Sequence, residues 1–446
     1  MAHTTVTLGN GSVISKFVMK ADRSIASLLP GGKYYISPGY SYSGVMNSLI
    51  TIPNVSYQLS LTSTGNNESK LGISSATIDN GNGQGAIRFF YIDPSNDSLS
   101  THSLTLYTGT YIYFRSFSHF GQDLFISNYH DQTVGATGNR VIIGRRTDLV
   151  GGYTALETLQ GPDTGTDVPE YLRVSRSDNM VVNNNGIGIN ATVGPNGITS
   201  GKKQFYRSFK ISVSGNTVNK TEGTVEQISN YSGVNYMNGL STNFEYIAKS
   251  LNDYSNDFYG VTVWNKSNNG PFNGLALTKT TVDPTTLIQT IETQDIYSQV
   301  VPTHMAYIDN SSKIVPLGND HVALYFFMDN APILIFSLDA GVWTLVHAIA
   351  VDGWTDGVIS YGEGTELLAV RRPSADIYLT HFSDIINSIT STEQLIYNST
   401  TAGLFNGVTA IMSSGPGYGL VAGRYNSGGA PDEGTKARVL RLTPAI

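Results

Sequence analysis

The chain contains no cysteine, few charged side chains and no long apolar run. Its 446 residues include no Cys, which excludes disulfides and thiolate chemistry. Charged residues make up only 14% of the sequence, against roughly 25% in a typical globular domain. The most apolar stretch, His321 to Leu338, is interrupted by Asp329, Asn330 and Pro332. Because a helix that crosses a bilayer needs about 20 apolar residues, no membrane insertion is expected.

The charge balance and the histidine spacing exclude further classes. Lys and Arg number 27 against 34 Asp and Glu, a net charge of −7, which argues against a nucleic-acid-binding surface. The start, Met1 to Val6, lacks the basic and apolar regions of a signal peptide, so synthesis in the cytosol is expected. No two of the eight His are four residues apart, so the sequence lacks the usual zinc-ligand spacing on a helix. No metal and no cofactor is predicted.

The residues that replace charge favour strands and turns. The chain has 47 Gly and 26 Tyr, with many Asn, Ser and Thr, and these residues are poor helix formers. Aromatic residues reach 10%, which is too many for a disordered chain. The composition therefore predicts a folded all-β protein.

A unit of four short apolar runs, separated by Gly, Asn, Asp or Pro, recurs along the C-terminal half. The clearest unit contains Gly357–Gly362, Glu366–Arg372, Asp376–Phe382 and Gln394–Tyr397. The preceding unit contains Lys313–Pro316, His321–Met328, Ile333–Ser337 and Trp343–Ile349. Earlier units are looser, and six or seven such units predict a β-propeller with four-stranded blades. The alternative is a series of tandem β-sandwiches, which have similar turn spacing.

The last unit has only three strands, at Val408–Met412, Tyr418–Tyr425 and Lys436–Leu442. An incomplete last blade leaves an open ring and an exposed sheet edge. We therefore predict that an N-terminal strand closes the ring, with Thr4–Leu8 or Val13–Met19 as candidates.

The N-terminal region fits the repeat worst. The predicted organisation is an irregular arm over residues 1–80, which contributes the closing strand, followed by the propeller over residues 81–446. Within the arm, Ala21 to Leu29 is predicted as a short helix.

Acidic and amide side chains alternate in several Gly-rich loops, as in calcium sites. The groups are Asp163, Asp167 and Glu170; Asp93, Ser95 and Asp97; Asp352 and Asp356; and Asn80, Asn82 and Gln84. No group completes a calcium-binding pattern. Turn chemistry explains them all, because Asp and Asn bond to their own backbone in turns.

The segment Ser337 to Trp343 resembles the Asp-box turn of sialidase-like propellers. Ser, Asp and Gly have the family's spacing, whereas Trp343 comes one residue early and the segment has a single copy. The resemblance implies a structural turn, and Trp343, in an apolar strand, is expected in the core. A sialidase also needs three converging arginines, a Tyr nucleophile and an acidic partner. The candidate arginines are Arg145, Arg146, Arg371, Arg372 and Arg424.

One aromatic residue lies in a loop between two units. Trp354 is flanked by Asp352 and Asp356, and Tyr361 follows. Sugars present flat apolar faces that stack on aromatic rings, while carboxylates bind their hydroxyl groups. We predict these four residues as a ligand-binding set. The alternative for Trp354 is a packing role.

The whole composition resembles that of bacteriophage tail-fibre, tail-tip and head-decoration proteins. The chain has no secretion signal, no cysteine and no complete catalytic motif, but has the Asn-, Ser-, Thr-, Gly- and Tyr-rich character of an extracellular surface. The resemblance implies a non-enzymatic virion subunit that binds other virion proteins, forms homo-oligomers within a particle and contacts host glycan. The alternatives are a glycan-processing propeller enzyme and a cellular propeller that binds proteins.

Overall fold

The structure is a computed structural model. It describes residues 6–7, 13–14, 25–29, 33–36, 42–52, 59–63, 70–76, 84–93, 98–108, 112–121, 124–131, 139–146, 153–160, 180–193, 204–228, 244–251, 254–264, 274–304, 312–318, 320–326, 328–361, 366–372, 376–382, 391–397, 409–413, 418–424 and 435–444. Side chains are described mainly between residues 180 and 361.

Short strands make up almost all of the regular structure. The N-terminal strands are β1 (Val6–Thr7), β2 (Val13–Ile14), β3 (Ile25–Leu29), β4 (Lys33–Ile36) and β5 (Tyr42–Ile52). The next eight are β6 (Leu59–Ser63), β7 (Lys70–Ala76), β8 (Gln84–Asp93), β9 (Ser98–Thr108), β10 (Ile112–Phe120), β11 (Leu124–Asp131), β12 (Asn139–Arg146) and β13 (Tyr153–Gln160).

In the middle of the chain, the described residues contribute eight more strands and one helix. The strands are β14 (Met180–Val182), β15 (Ile187–Val193), β16 (Gln204–Ser214), β17 (Thr217–Ile228), β18 (Phe244–Lys249), β19 (Asp257–Trp264), β20 (Gly274–Val282) and β21 (Gln289–Asp295). Helix α1 (Tyr297–His304) follows directly.

The remaining strands complete the fold. They are β22 (Lys313–Leu317), β23 (His321–Tyr325), β24 (Ile333–Asp339), β25 (Val342–Ile349), β26 (Trp354–Tyr361), β27 (Glu366–Arg372), β28 (Asp376–Phe382), β29 (Ser391–Tyr397), β30 (Thr409–Ser413), β31 (Tyr418–Arg424) and β32 (Thr435–Pro444).

Within the described residues, the strands form seven four-stranded antiparallel sheets and two two-stranded sheets. Six of the larger sheets consist of four consecutive strands, from β6–β9 to β26–β29. The first strands of successive sheets are neighbours, from β6 beside β10 to β26 beside β30, and β30 also neighbours β6. The prediction of an all-β fold of four-stranded sheets is confirmed, and this arrangement is that of a β-propeller.

The seventh large sheet has the order β30-β31-β32-β5. Strand β32 pairs with β5 from Thr435 opposite Ile52 to Pro444 opposite Tyr42. The candidates Thr4–Leu8 and Val13–Met19 were the wrong segments, because they contain β1 and β2, which pair with each other. Strand β5 has eleven residues, enough to match the whole of β32, whereas β1 and β2 have two each.

A further prediction for the N-terminal region differs from the structure. The short helix predicted over Ala21 to Leu29 is wrong for Ile25–Leu29, where β3 lies and pairs with β4; residues 21–24 lie outside the described residues. The boundary predicted at residue 80 falls between β7 and β8, which pair in one sheet. That sheet therefore draws on both sides of the boundary.

The core lies between neighbouring sheets, as strand β23 illustrates. All five of its residues are buried. Val322 and Leu324 pack in a cluster with residues of the sheet β18–β21. Ala323 and Tyr325 pack in a second cluster with residues of the sheet β26–β29. Alternate residues of a strand point to opposite faces, so a continuous apolar run is what a strand buried on both faces requires.

The two ends of each large sheet differ in which strands begin and end there. We call the end where the first strand begins and the second strand ends the connection edge, because the chain enters each sheet there. The opposite end, where the first strand turns into the second, is the turn edge. Because neighbouring strands are antiparallel, third strands begin and fourth strands end at the connection edge.

Candidate functional site

The structure places three of the four predicted ligand-binding residues together. Asp352 is exposed just before β26, Trp354 is the first residue of this strand, and Asp356 lies at its bulge. All three are at the connection edge. Tyr361 is the last residue of β26. Eight strand residues separate the ends by about 23 Å, so Tyr361 lies at the turn edge, away from the other three.

The loop that carries Asp352 is fixed to the preceding sheet. Asn330 N donates to Gly353 O, and Gly353 N donates to Asn330 Oδ1, both at 2.9 Å. Both residues have positive φ, 55° and 85°, a backbone region that Gly and Asn adopt more readily than other residues. The exposed Asp329 precedes Asn330. These reciprocal bonds hold two exposed carboxylates at one connection edge.

The register adds an arginine position that the sequence reasoning did not link to Trp354. Trp354 is directly opposite Arg372 in the β26–β27 ladder, and Thr355 is opposite Arg371. Facing positions in an antiparallel pair are about 4.5–5.5 Å apart. The sequence shows both residues but not the register, which depends on where β26 turns into β27.

The five arginines considered for a sialidase site do not share one edge. Arg145 and Arg146 end β12, the third strand of its sheet, and therefore lie at the turn edge. Arg371 and Arg372 end β27, and Arg424 ends β31, both second strands, so these three lie at the connection edge. The first pair therefore cannot join the others around one substrate carboxylate.

The Ser337 to Trp343 segment forms a tight turn. It joins β24 to β25 through Ala340 and Gly341, whose φ values are 47° and 80°. Two successive positive φ values characterise the type I′ hairpin turn. Trp343 is fully buried in the cluster between two sheets. The prediction that Trp343 packs in the core is confirmed.

A run of three asparagines links neighbouring sheets at the turn edge. Asn183 is fully buried, and its Nδ2 donates to Ser255 O at 2.8 Å and to Asn256 Oδ1 at 2.9 Å. Its Oδ1 accepts from Asn185 N and Ile187 N, both at 3.0 Å. One side chain therefore holds its own turn and the turn between β18 and β19. The sequence signal was the run Asn-Asn-Asn-Gly, whose contact across sheets could not be read from it.

The next pair of sheets is joined by charged groups. Lys279 Nζ lies 3.4 Å from Asp320 Oδ1 and 3.8 Å from Asp257 Oδ2. Tyr259 lies beside them, with its hydroxyl 3.4 Å from Asp320 Oδ1. Burial, followed by the charges of Asp320 and Asp257, raises the pKa of Tyr259. The phenol therefore stays protonated and acts as a hydrogen-bond donor.

The described side chains show few groups suited to catalysis. Among them, no three His, Asp or Glu residues are grouped so as to hold a metal ion. Burial lowers the pKa of His347, a residue of β25. The loops at residues 161–179 and 94–97, considered above for calcium, lie outside the described residues. In the described part of the chain, no helix has the length and apolarity to cross a membrane.

Comparisons with known proteins identify distant structural neighbours. No protein-family model and no curated protein matches the sequence. The β-propeller domain of Cps50 (Swd1) from Myceliophteria thermophila is 9% identical, with a TM-score of 0.48, over 90% of this chain and all of that one. A candidate 6-phosphogluconolactonase from Bacteroides uniformis is 12% identical, with a TM-score of 0.45, over 82% of this chain and 96% of that one. A Dyadobacter fermentans protein of unknown function is 10% identical, with a TM-score of 0.42, over 90% and 100% of the two chains. At these values, none of the three supplies a function for this chain.

Proposed function

We propose that the chain is a seven-bladed propeller closed by β5, and that it serves as a non-enzymatic surface subunit of a bacteriophage particle. The cyclic order of the first strands, from β6 to β30 and back to β6, supports seven blades. The ladder between β32 and β5 supports closure, because it gives the seventh sheet its fourth strand. A closed ring leaves no blade without a neighbour.

The observation that carries the proposal is that different segments of the chain join the ring at its two edges. Strand β5 starts at Tyr42, opposite Pro444 at the end of β32, so residues 1–41 join the ring at the turn edge. Three connections between sheets are longer than the others and all join at the connection edge: residues 161–179, residues 296–312, which include α1, and residues 229–243. Connections of this length are uncommon in compact domains and are usually either functional loops or linkers. An arm at one edge and long loops at the other suit a subunit that attaches by one side and binds by the other.

The composition of one of these connections suits recognition. Residues 229–243 read SNYSGVNYMNGLSTN and contain no charged residue. Ser, Asn, Gly and Tyr are the residues that dominate binding loops of antibodies, because they combine flat aromatic area with adaptable hydrogen bonding. We therefore assign the connection edge to host-glycan binding, with Trp354, Asp352 and Asp356 as contact residues. Residues 1–41 and the turn edge face other virion proteins, as part of a homo-oligomer in the virion.

Glycan binding by matched variants tests the site. The full chain and two variants, Trp354→Ala and Tyr361→Ala, are applied to a glycan array. Trp354→Ala is expected to lose at least tenfold in affinity, whereas Tyr361→Ala, at the other end of the same strand, keeps it. Equal loss in both variants, or no binding by the unaltered chain, would contradict the assignment.

Two further measurements test the class of protein. Cryo-microscopy of a phage particle that carries this chain is expected to show the ring on the outside, with residues 1–41 towards the particle. Incubation with labelled glycans is expected to release no sugar. Hydrolysis would instead favour the propeller-enzyme alternative, with Arg371, Arg372 and Arg424 as the first residues to replace.

A further inference from the structure

Strand β25 is an edge strand without the usual protection. It is the last strand of its sheet, and its sequence VWTLVHAI contains no Lys, Arg, Asp, Glu or Pro. Val342 and Val346 are 54% and 40% exposed. An exposed apolar edge strand offers unpaired backbone groups to strands of other chains, and natural proteins block such edges. Some other feature must therefore protect β25.

Gln294, in β21 of the preceding sheet, bonds to the outer side of β25. Its Nε2 donates to Trp343 O at 3.0 Å, and its Oε1 accepts from Trp343 N at 2.6 Å. The side-chain amide thus exchanges both bonds with one residue. This is the pattern of a hydrogen-bonded pair in an antiparallel ladder.

Gln299, in helix α1, also bonds to the outer side of β25 and reaches as far as Leu345. Its Nε2 donates to Trp343 O at 2.9 Å, and its Oε1 accepts from Leu345 N at 2.8 Å. One amide that joins the carbonyl of one residue to the N–H two residues later reproduces the bonding of a parallel strand. Together, the two glutamines satisfy three outward backbone groups of β25.

The fold holds both glutamines in position. Gln294 lies in β21, opposite Leu277. Helix α1 is anchored by its residue Val300 and by Ile296, which directly precedes it, both fully buried. Asp295 Oδ1 accepts from Tyr297 N at 2.8 Å, which caps the start of the helix. The glutamines are therefore fixed before any other chain approaches.

We propose that Gln294 and Gln299 form an edge cap that prevents β25 from pairing with β25 of a second copy of this chain. Two copies of one edge strand pair antiparallel about a two-fold axis, so each contact occurs twice. The cap occupies the N–H and C=O of Trp343 and the N–H of Leu345, which such a pair would need for its own hydrogen bonds. This inference does not depend on the proposed virion function.

The test compares the association of the full chain with that of cap variants. Gln294→Ala/Gln299→Ala is expected to self-associate at least tenfold more tightly than the unaltered chain, measured by light scattering over a concentration series. Adding Val346→Lys should reverse this, because a charged residue blocks an edge strand. The matched control is Thr290→Ala/Ser298→Ala, which alters one exposed residue on each of the same two elements. A folded cap variant that associates no more than the control would overturn the proposal.

Hydrogen exchange tests the cap without any substitution. In the unaltered chain, the amides of Trp343 and Leu345 are expected to exchange as slowly as those bonded between β24 and β25. Rapid exchange at both amides would show that the edge is open and would refute the cap, even if the double variant failed to fold.

Discussion

Replacing Asn183 with alanine is expected to destabilise the fold strongly, because this one side chain joins two sheets. The substitution removes four hydrogen bonds, two donated and two accepted. Each contributes about 0.5–1.5 kcal/mol net. It also leaves the buried N–H of Ile187 without its side-chain acceptor. The four bonds together give an expected loss of unfolding free energy of about 2–6 kcal/mol.

Asn185 provides the matched control, two residues further along the same turn. Asn185 is exposed, and its side chain makes one bond of 3.2 Å to Tyr254 O. Exposed bonds contribute little, so Asn185→Ala should change stability by about 0.5 kcal/mol or less. The comparison separates burial and bond number from the asparagine content of the turn.

Guanidinium denaturation, followed by tryptophan fluorescence, measures both variants. The midpoint should fall for Asn183→Ala while the slope stays that of the unaltered chain, because the same surface is exposed on unfolding. A loss below about 1 kcal/mol for Asn183→Ala, or equal losses in the two variants, would refute the claim that Asn183 holds neighbouring sheets together.

Four further predictions follow from the described contacts. Folding raises the pKa of Tyr259. Its contribution to stability should therefore be constant below about pH 10 and fall above that pH, where the phenol of the unfolded chain ionises. Tyr259→Phe should reduce this alkaline loss of stability in denaturation curves recorded from about pH 9 to 11. Gly223→Ala would place a Cβ 2.1 Å from Ser208 Oγ and 2.7 Å from the carbonyl oxygen of Leu287. Thermal melting should therefore show a loss of unfolding free energy of about 1–3 kcal/mol. Trp343→Ala should cost about 3–5 kcal/mol in the same denaturation assay, and Trp343→Phe clearly less, because the indole N–H has no partner among the described residues. Deleting residues 1–52 removes β5 and should abolish cooperative unfolding by circular dichroism, whereas deleting residues 1–41 should preserve it.

The candidate site was only partly predictable. Trp354, Asp352 and Asp356 are close in sequence, so any fold that begins a strand at Trp354 keeps them together. Tyr361 is only seven positions further on, but an extended strand carries it to the opposite edge. The position of Arg372 opposite Trp354 depends on strand register, which the sequence does not display.

The sequence by itself determined the class of fold. Its alternating and continuous apolar runs, with Gly and Asn between them, can bury their side chains only as strands, and the spacing of these runs sets four strands to a sheet. Tertiary structure alone decided which segment pairs with the last strand, which asparagine is buried and which glutamines cover β25. These contacts join residues tens to hundreds of positions apart. Their partners are chosen by the distance and direction of backbone groups, and a linear pattern of residue types carries neither.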